Sequence, residues 1–354
     1  MSPLSLGECF RQKRNSLNLI RLLAALAVIY GHASAVTGKG PGDLFLQVVS
    51  YKFIGGVAVD VFFVISGFLI TASAMSRHGL VYYSMSRLLR IYPALIVCVT
   101  ITVFILGPSL STSEDYWQSS ETWQYFFYNA SAYGTQYFLP GVFLNMHDKA
   151  INGSLWTLAV EVRLYLIILL LAIAQILKNK TLFNLFFFIA IAIGYFAPDA
   201  LSIVFPYDNH RQVAMMFMIG SFAWINRDEI PISPPLLLVL LFFAATQHHG
   251  PKFGIAYAML LPYLVFCISF APWGSWYDRF GDYSYGVYLY GWIAQQYALF
   301  QIPSMSNSIN TLYGCFGALI CAIISWHFIE KPVQQLKFRF KSTNNSESHV
   351  GASK

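Results

Sequence analysis

The 354-residue chain alternates long apolar runs with short polar breaks, and the runs suit a bilayer better than the interior of a soluble domain. A membrane helix needs roughly 17–25 apolar residues, fewer when other helices enclose it. On that rule the pattern predicts helices near 17–36, 53–74, 89–107, 153–177, 181–197, 211–226, 234–249, 253–271, 283–302 and 311–330. Those between 181 and 249 are the shortest. The expected fold is all-α: a polytopic membrane helix bundle of about ten transmembrane helices, with no separate soluble domain. Residues 1–340 read as that membrane domain, and the Ser- and Asn-rich stretch 341–354 reads as a disordered cytoplasmic tail. No small-residue cleavage site follows the first apolar run, so the first helix is expected to be retained.

Composition agrees with the pattern. Hydrophobic residues make up 56% of the chain and charged residues only 11%, against about 25% in soluble domains. The formal net charge of +6 would fit an anionic partner, but its distribution serves orientation instead. One set of loops and helix ends carries Arg77, Arg87, Arg90, Lys178, Lys180, Arg227, Arg279, Lys331, Lys337, Arg339 and Lys341, following Arg11, Lys13 and Arg14 at the N-terminus. The opposite set carries Lys39, Lys52, Lys149, Arg211 and Lys252. The positive-inside rule places both termini in the cytoplasm, and no nucleic-acid partner is expected. Cys9, Cys98, Cys267, Cys315 and Cys321 show neither paired nor metal-like spacing, so no metal site is expected.

Charges within the apolar runs are the candidate chemistry, because each costs about 2.5–3.5 kcal/mol even on lenient insertion scales. Arg21 and His32 share the first helix; eleven steps turn about 1100°, so they lie roughly 20° apart on one face and about 16.5 Å apart along the axis. Asp60 lies on the second span, in Gly55-Gly56-Val57-Ala58-Val59-Asp60, and Glu161 and Arg163 lie on the fourth. Counted from their helix starts, His32, Asp60 and Glu161 share a depth in the outer half of the bilayer. A carboxylate bonded to one ring nitrogen would hold the tautomer and free the other nitrogen as general base. The alternative is that either carboxylate only ties helices together.

Arg87 and Arg90, three residues apart, share a helical face at the cytoplasmic end of the third span. They are either orientation anchors or, with Arg21, a phosphate clamp, since guanidinium forks bind phosphate bidentately. The outer segment 108–152 is dense in Trp, Tyr and Phe. It reads as an interfacial aromatic belt or amphipathic helix, or as a platform for sugar rings.

Six motifs in order resemble the acyltransferase-3 family of integral membrane acyltransferases of bacterial surface polysaccharides. They are Arg21-x10-His32, the run Gly56-Val57-x-x-Asp60-x-Phe62-Phe63-x-x-Ser66-Gly67-Phe68, Arg87-x-x-Arg90 with Tyr92-Pro93, Trp156-Thr157-Leu158-x-x-Glu161, Ser284 to Leu289, and Glu330-Lys331-Pro332. The resemblance implies transfer of an acyl group, usually acetyl, from cytoplasmic acyl-CoA to a sugar hydroxyl at the outer face. Acetyl-CoA would be a co-substrate rather than a resident cofactor, and the acceptor a polysaccharide or lipid-linked glycan such as O-antigen or exopolysaccharide. The implied location is the bacterial inner membrane, among its lipids. It makes His32 the catalytic residue, assisted by Glu161 or Asp60, puts Arg21, Arg87 and Arg90 on the acyl-CoA, and leaves Ser66, Trp156 and Tyr288 in supporting roles. Many relatives have Tyr-Leu-x-His on the late span, whereas Tyr288-Leu289-Tyr290 is followed here by Gly291 and Trp292. The rival class is a proton-coupled transporter or flippase of a sugar-linked substrate. The polar motifs crowd the first four and last two spans without an internal repeat, which favours the enzyme.

Overall fold

The computed structural model describes residues 3–12, 15–271 and 273–340. The predicted tail 341–354, together with Lys13 and Arg14, lies outside the described residues. Each apolar run forms a helix: α1 (Leu17–Thr37), α2 (Ile54–Ala74), α3 (Gly79–Ile101), α4 (Trp156–Ile173), α5 (Lys180–Phe196), α6 (Asp208–Ile225), α7 (Pro234–Gln247), α8 (Phe253–Ser269), α9 (Ser284–Gln301) and α10 (Asn307–Ser325). Sequence-local signals set several ends. Asn179, Ser233 and Ser306 accept from backbone N–H groups in the first turns of α5, α7 and α10, and Gly38, at φ 68°, closes α1. Among the described residues no strand forms, and the one extended pairing is a lone bridge from Ser5 to Pro231.

Among the described residues, five helical stretches are long and apolar enough to cross a membrane: α1, α2, α4, α3 continued to Leu110, and α10 continued to Phe340. Three others (α5, α7 and α8) are apolar but shorter, and α6 and α9 reach 18 residues with more polar sequences. The chain is thus an all-helical, multi-pass membrane bundle. Two boundaries differ from expectation. α3 begins at Gly79 rather than near 89, because its first turns carry Arg87 and Arg90, which interrupt the apolar run while facing the protein interior. The last helix continues past 330 through one wide turn at Trp326–Glu330 into Lys331–Gln335.

Small residues set the helix crossings, as expected where lipid offers no hydrophobic drive between helices. A Cβ on Gly67 of α2 would lie 1.9 Å from the Phe217 carbonyl oxygen of α6, and one on Gly220 of α6 would lie 2.1 Å from that of Val64. α1 meets α2 where Gly31 faces the backbone of Gly55, and α9 meets α10 where Gly286 faces Ala322. Buried amides of α9 tie it to its neighbours: Gln295, fully buried, donates to the Ile29 carbonyl and to Asn310, each at 2.9 Å. Within the aromatic-rich segment 108–152, Ser120–Ser131 forms a helix, one of the alternatives its composition suggests. Phe127 and Tyr128 of this helix are exposed, while Tyr125 is buried.

Candidate functional site

Four of the buried or half-buried charges in the lower bundle come from elements far apart in sequence. Arg21 is on the first turns of α1, Arg90 on α3, Asp282 in the loop before α9, and Glu330 at the end of the wide turn after α10. One carboxylate oxygen, Asp282 Oδ2, accepts from Arg21 Nη1 at 2.6 Å and from Arg90 Nη2 at 2.7 Å. Arg90 Nη1 reaches Glu330 Oε2 at 3.3 Å, and Ser325 donates to the other Glu330 oxygen at 3.0 Å. The Ser284 N–H and hydroxyl both donate to Asp282 Oδ1. Burial works to raise the Asp282 carboxyl, but Arg21, Arg90 and the Ser284 hydrogen bonds outweigh it and hold it well below the usual carboxylate range.

Arg87 stands apart from this network. Its Nε is buried with no hydrogen-bond partner, and its guanidinium lies over the Tyr165 ring at 5.8 Å. Among the described residues no carboxylate pairs with it. Arg21, Arg87 and Arg90 line one end of a cavity of ≈ 270 Å³, together with Lys337 and Asp282.

The cavity continues between α2, α4 and α9. Glu161 of α4 lines it, accepting a short hydrogen bond from Tyr165 and a longer one from Ser66 at 3.3 Å. Beyond Glu161 the wall is Phe62, Thr157 and Tyr288. The Tyr288 and Thr157 hydroxyls hydrogen-bond at 2.7 Å, and Tyr288 also donates to the Ser154 carbonyl at 2.9 Å. Six of the nine sequence-nominated residues therefore line one space: Arg21, Arg87, Arg90, Ser66, Glu161 and Tyr288.

His32, Asp60 and Trp156 do not line it. His32 is half-buried one helical turn further out, where Trp292 of α9 meets it edge-on with ring centroids 4.8 Å apart. Trp292 follows the cavity-lining Tyr288 by four residues, about one turn or 6 Å along α9. Phe53 is the second ring beside His32, with centroids 5.6 Å apart. The carboxylate–imidazole hydrogen bond expected from the shared depth is not formed. Glu161 is held by Tyr165 and Ser66, while fully buried Asp60 is bound by Lys52 Nζ at 2.7 and 2.9 Å and by Tyr257 at 2.6 Å. Which side chains face each carboxylate, rather than depth counted along a helix, decided the partners. Trp156 stacks flat on His210 with ring centroids 5.3 Å apart. Arg163 ties α4 to loop carbonyls of Tyr133 and Val204.

The sequence reading missed Asp282 and Tyr165. Asp282 had a signal: three arginines converging on one space call for a counter-charge, and it lies two residues before the Ser284–Leu289 motif. Gly291 has a steric explanation, since a Cβ there would lie 2.7 Å from Ile29 Cγ1 of α1. The ring facing His32 in this chain is Trp292 instead.

A family profile described as an acyltransferase domain matches residues 14–330, which include all these elements. An O-acetyl transferase of Shigella phage Sf6 is 29% identical over 335 residues, covering 90% of this chain and 96% of that protein. The O-acetyltransferase OatA of Staphylococcus aureus is 24% identical over 386 residues, and the match spans 91% of this chain but 57% of OatA. Nodulation protein 10 of Rhizobium leguminosarum bv. viciae is 24% identical over 366 residues, 92% of this chain and 94% of that protein. No solved structure gives a significant match.

Proposed function

The chain belongs to the acyltransferase-3 family, and from that premise we propose that it is a membrane O-acetyltransferase, taking acetyl from cytoplasmic acetyl-CoA and passing it to a sugar hydroxyl of a polysaccharide or lipid-linked glycan at the outer face of a bacterial inner membrane. The observation that carries the reading is the cavity itself, which Arg21, Arg87 and Arg90 line together with Ser66, Glu161 and Tyr288, while Trp292, one turn along α9 from Tyr288, meets the His32 ring. Arg87, with its buried unpaired Nε, supplies an anion-binding group, and Arg21 and Arg90 stand beside it already oriented by Asp282. Phosphates of the donor rest there, and the acyl-bearing arm extends along the cavity toward His32. The separation of about 16.5 Å along α1 is the distance this arm crosses.

In the reaction His32 acts as general base. The acceptor O–H attacks the thioester carbonyl carbon, the new C–O bond forms, and the C–S bond breaks. The hydroxyl proton passes through the imidazole to the departing sulfur. Glu161, hydrogen-bonded by Tyr165 and Ser66, offers a second proton acceptor within the cavity. The direct route is preferred to an acyl-enzyme on Ser66, because that hydroxyl is engaged with Glu161 and serines in membrane helices commonly serve packing.

The test is incubation of membranes holding the protein, or its His32→Ala variant at equal amount and thermal midpoint, with radiolabelled acetyl-CoA. Labelled glycan is expected only with intact His32. Equal labelling by the variant removes His32 from catalysis. Labelling that is independent of the protein returns a sugar-linked transporter to the front.

A further inference from the structure

Asp60 lies on the same helix turns as the family motif, yet its carboxylate faces away from the cavity lining and into a separate buried cluster. Its partner Lys52 precedes α2, and the Lys52 stem lies directly across Gly56. A Cβ on Gly56 would meet Lys52 Cε at 2.8 Å and Cγ at 2.9 Å. The neighbouring Phe53 ring folds down the same way over Gly55, where a Cβ would lie 2.5 Å from Phe53 Cε2. Both side chains can lie back along the helix start only because residues 55 and 56 are glycines.

The same turn is pinned from two more sides. Asp43 accepts from the Ile54 N–H at 3.1 Å and from the Leu46 N–H at 3.0 Å, fixing the entry of the chain into α2. Gly31, next to His32, lets the Gly55 backbone approach α1 closely. The far end of the ion pair is anchored by Tyr257 of α8. Phe53 therefore sits between an anchored lysine and the His32 ring, which it touches at 5.6 Å. Trp292 meets the same imidazole edge-on at 4.8 Å. Because no hydrogen bond orients the imidazole among the described residues, these two rings are what define its attitude.

We infer that Lys52 and Asp60 are positioning residues for His32: the buried ion pair folds the segment before α2 back along the helix and so holds Phe53 against the imidazole. Asp60 then handles no proton in the transfer and acts through Lys52 and Phe53. This rests on the acyl-transfer reading above. Misplacement of a reacting group by about 1 Å costs up to roughly a hundredfold in rate, so the effect falls on turnover and leaves donor binding at the distant arginines intact.

The experiment compares Lys52→Met, Lys52→Arg, Phe53→Ala, the pairs Lys52→Met/Asp60→Asn and Lys52→Met/Phe53→Ala, and His32→Ala, in membranes supplied with acetyl-CoA. Lys52→Met is expected to lower kcat roughly ten- to hundredfold with KM for acetyl-CoA within about twofold. Lys52→Arg is expected to restore most of it. The Lys52→Met/Asp60→Asn pair leaves no lone buried charge and keeps the measurement available where Lys52→Met alone folds poorly. Phe53→Ala is expected to show the same kcat loss, and adding it to Lys52→Met to cost less than about twofold more, because both act through one contact. Wild-type turnover in the folded Lys52→Met/Asp60→Asn protein overturns the inference, as does full additivity of the Lys52 and Phe53 losses. Retained activity in His32→Ala instead overturns the assignment of His32, so the two failures are distinct.

Discussion

Arg21 and Arg90, 69 positions apart in sequence and on different helices, donate to the same oxygen of Asp282, at 2.6 and 2.7 Å. Their side chains are only 20% and 13% exposed, and that of Asp282 is 14% exposed. Two like charges are thereby held side by side at the cavity's cationic end. The same contact joins α1, α3 and the start of α9, so it serves the fold and the cavity together.

Asp282→Asn is expected to lower stability at neutral pH by about 1–3 kcal/mol, discounted from the 3–5 kcal/mol typical of a fully buried pair because some solvent reaches the site. The Asp282 carboxyl is held below its ordinary value in the folded protein. Its contribution is therefore present above the unfolded value of about 4 and is lost as pH falls from there through the folded value. Thermal midpoints in detergent should separate wild type from Asp282→Asn at pH 7 and converge in the acid range below about 4. A constant gap across that range contradicts the ion-pair account.

Arg87 is the guanidinium with spare capacity. Arg87→Ala is expected to raise KM for acetyl-CoA about ten- to hundredfold, the equivalent of roughly 1.5–3 kcal/mol for a charge-assisted hydrogen bond. No ion pair is lost, so the thermal midpoint should stay close to wild type. Initial-rate kinetics beside a melting curve check this, and an unchanged KM removes Arg87 from the donor site.

Replacing Gly220 by Val pushes α6 away from α2, since even a Cβ would stand 2.1 Å from the Val64 carbonyl oxygen. Backbone cannot yield as a flexible side chain does. The cost is expected at the upper end of overpacking effects, about 3 kcal/mol or more, read as loss of monodisperse protein on size-exclusion chromatography. Gly79→Ala makes a contrasting control: nothing crowds that position, and only its φ of 82° strains the new residue.

Gly291→His places a histidine where many relatives carry one. In this chain it is expected to reduce stability rather than add activity, because Ile29 occupies the space. Pairing it with Ile29→Ala should recover the thermal midpoint by relieving that contact. A gain in acetyl transfer by Gly291→His alone would show that the imidazole finds another path into the site.

The sequence by itself determined the helices, because apolar run length and helical spacing are local properties that survive without neighbours. It also marked the costly groups, since Arg21, Arg87, Arg90 and Glu161 stand out against any apolar run, and all four line the cavity. Depth along a helix is also a local property, counted from the helix start, but it leaves open which side chains meet. What one-dimensional spacing lacks is the angle at which each helix faces its neighbours. Only the tertiary structure decided that Asp60 turns to Lys52 and Tyr257, that Trp292 and Phe53 flank His32, and that Asp282 gathers two arginines. The physical reason is that these pairings depend on how closely and at what angle the helices pack, which glycines such as Gly31, Gly55 and Gly56 permit, and most of them join residues distant in sequence.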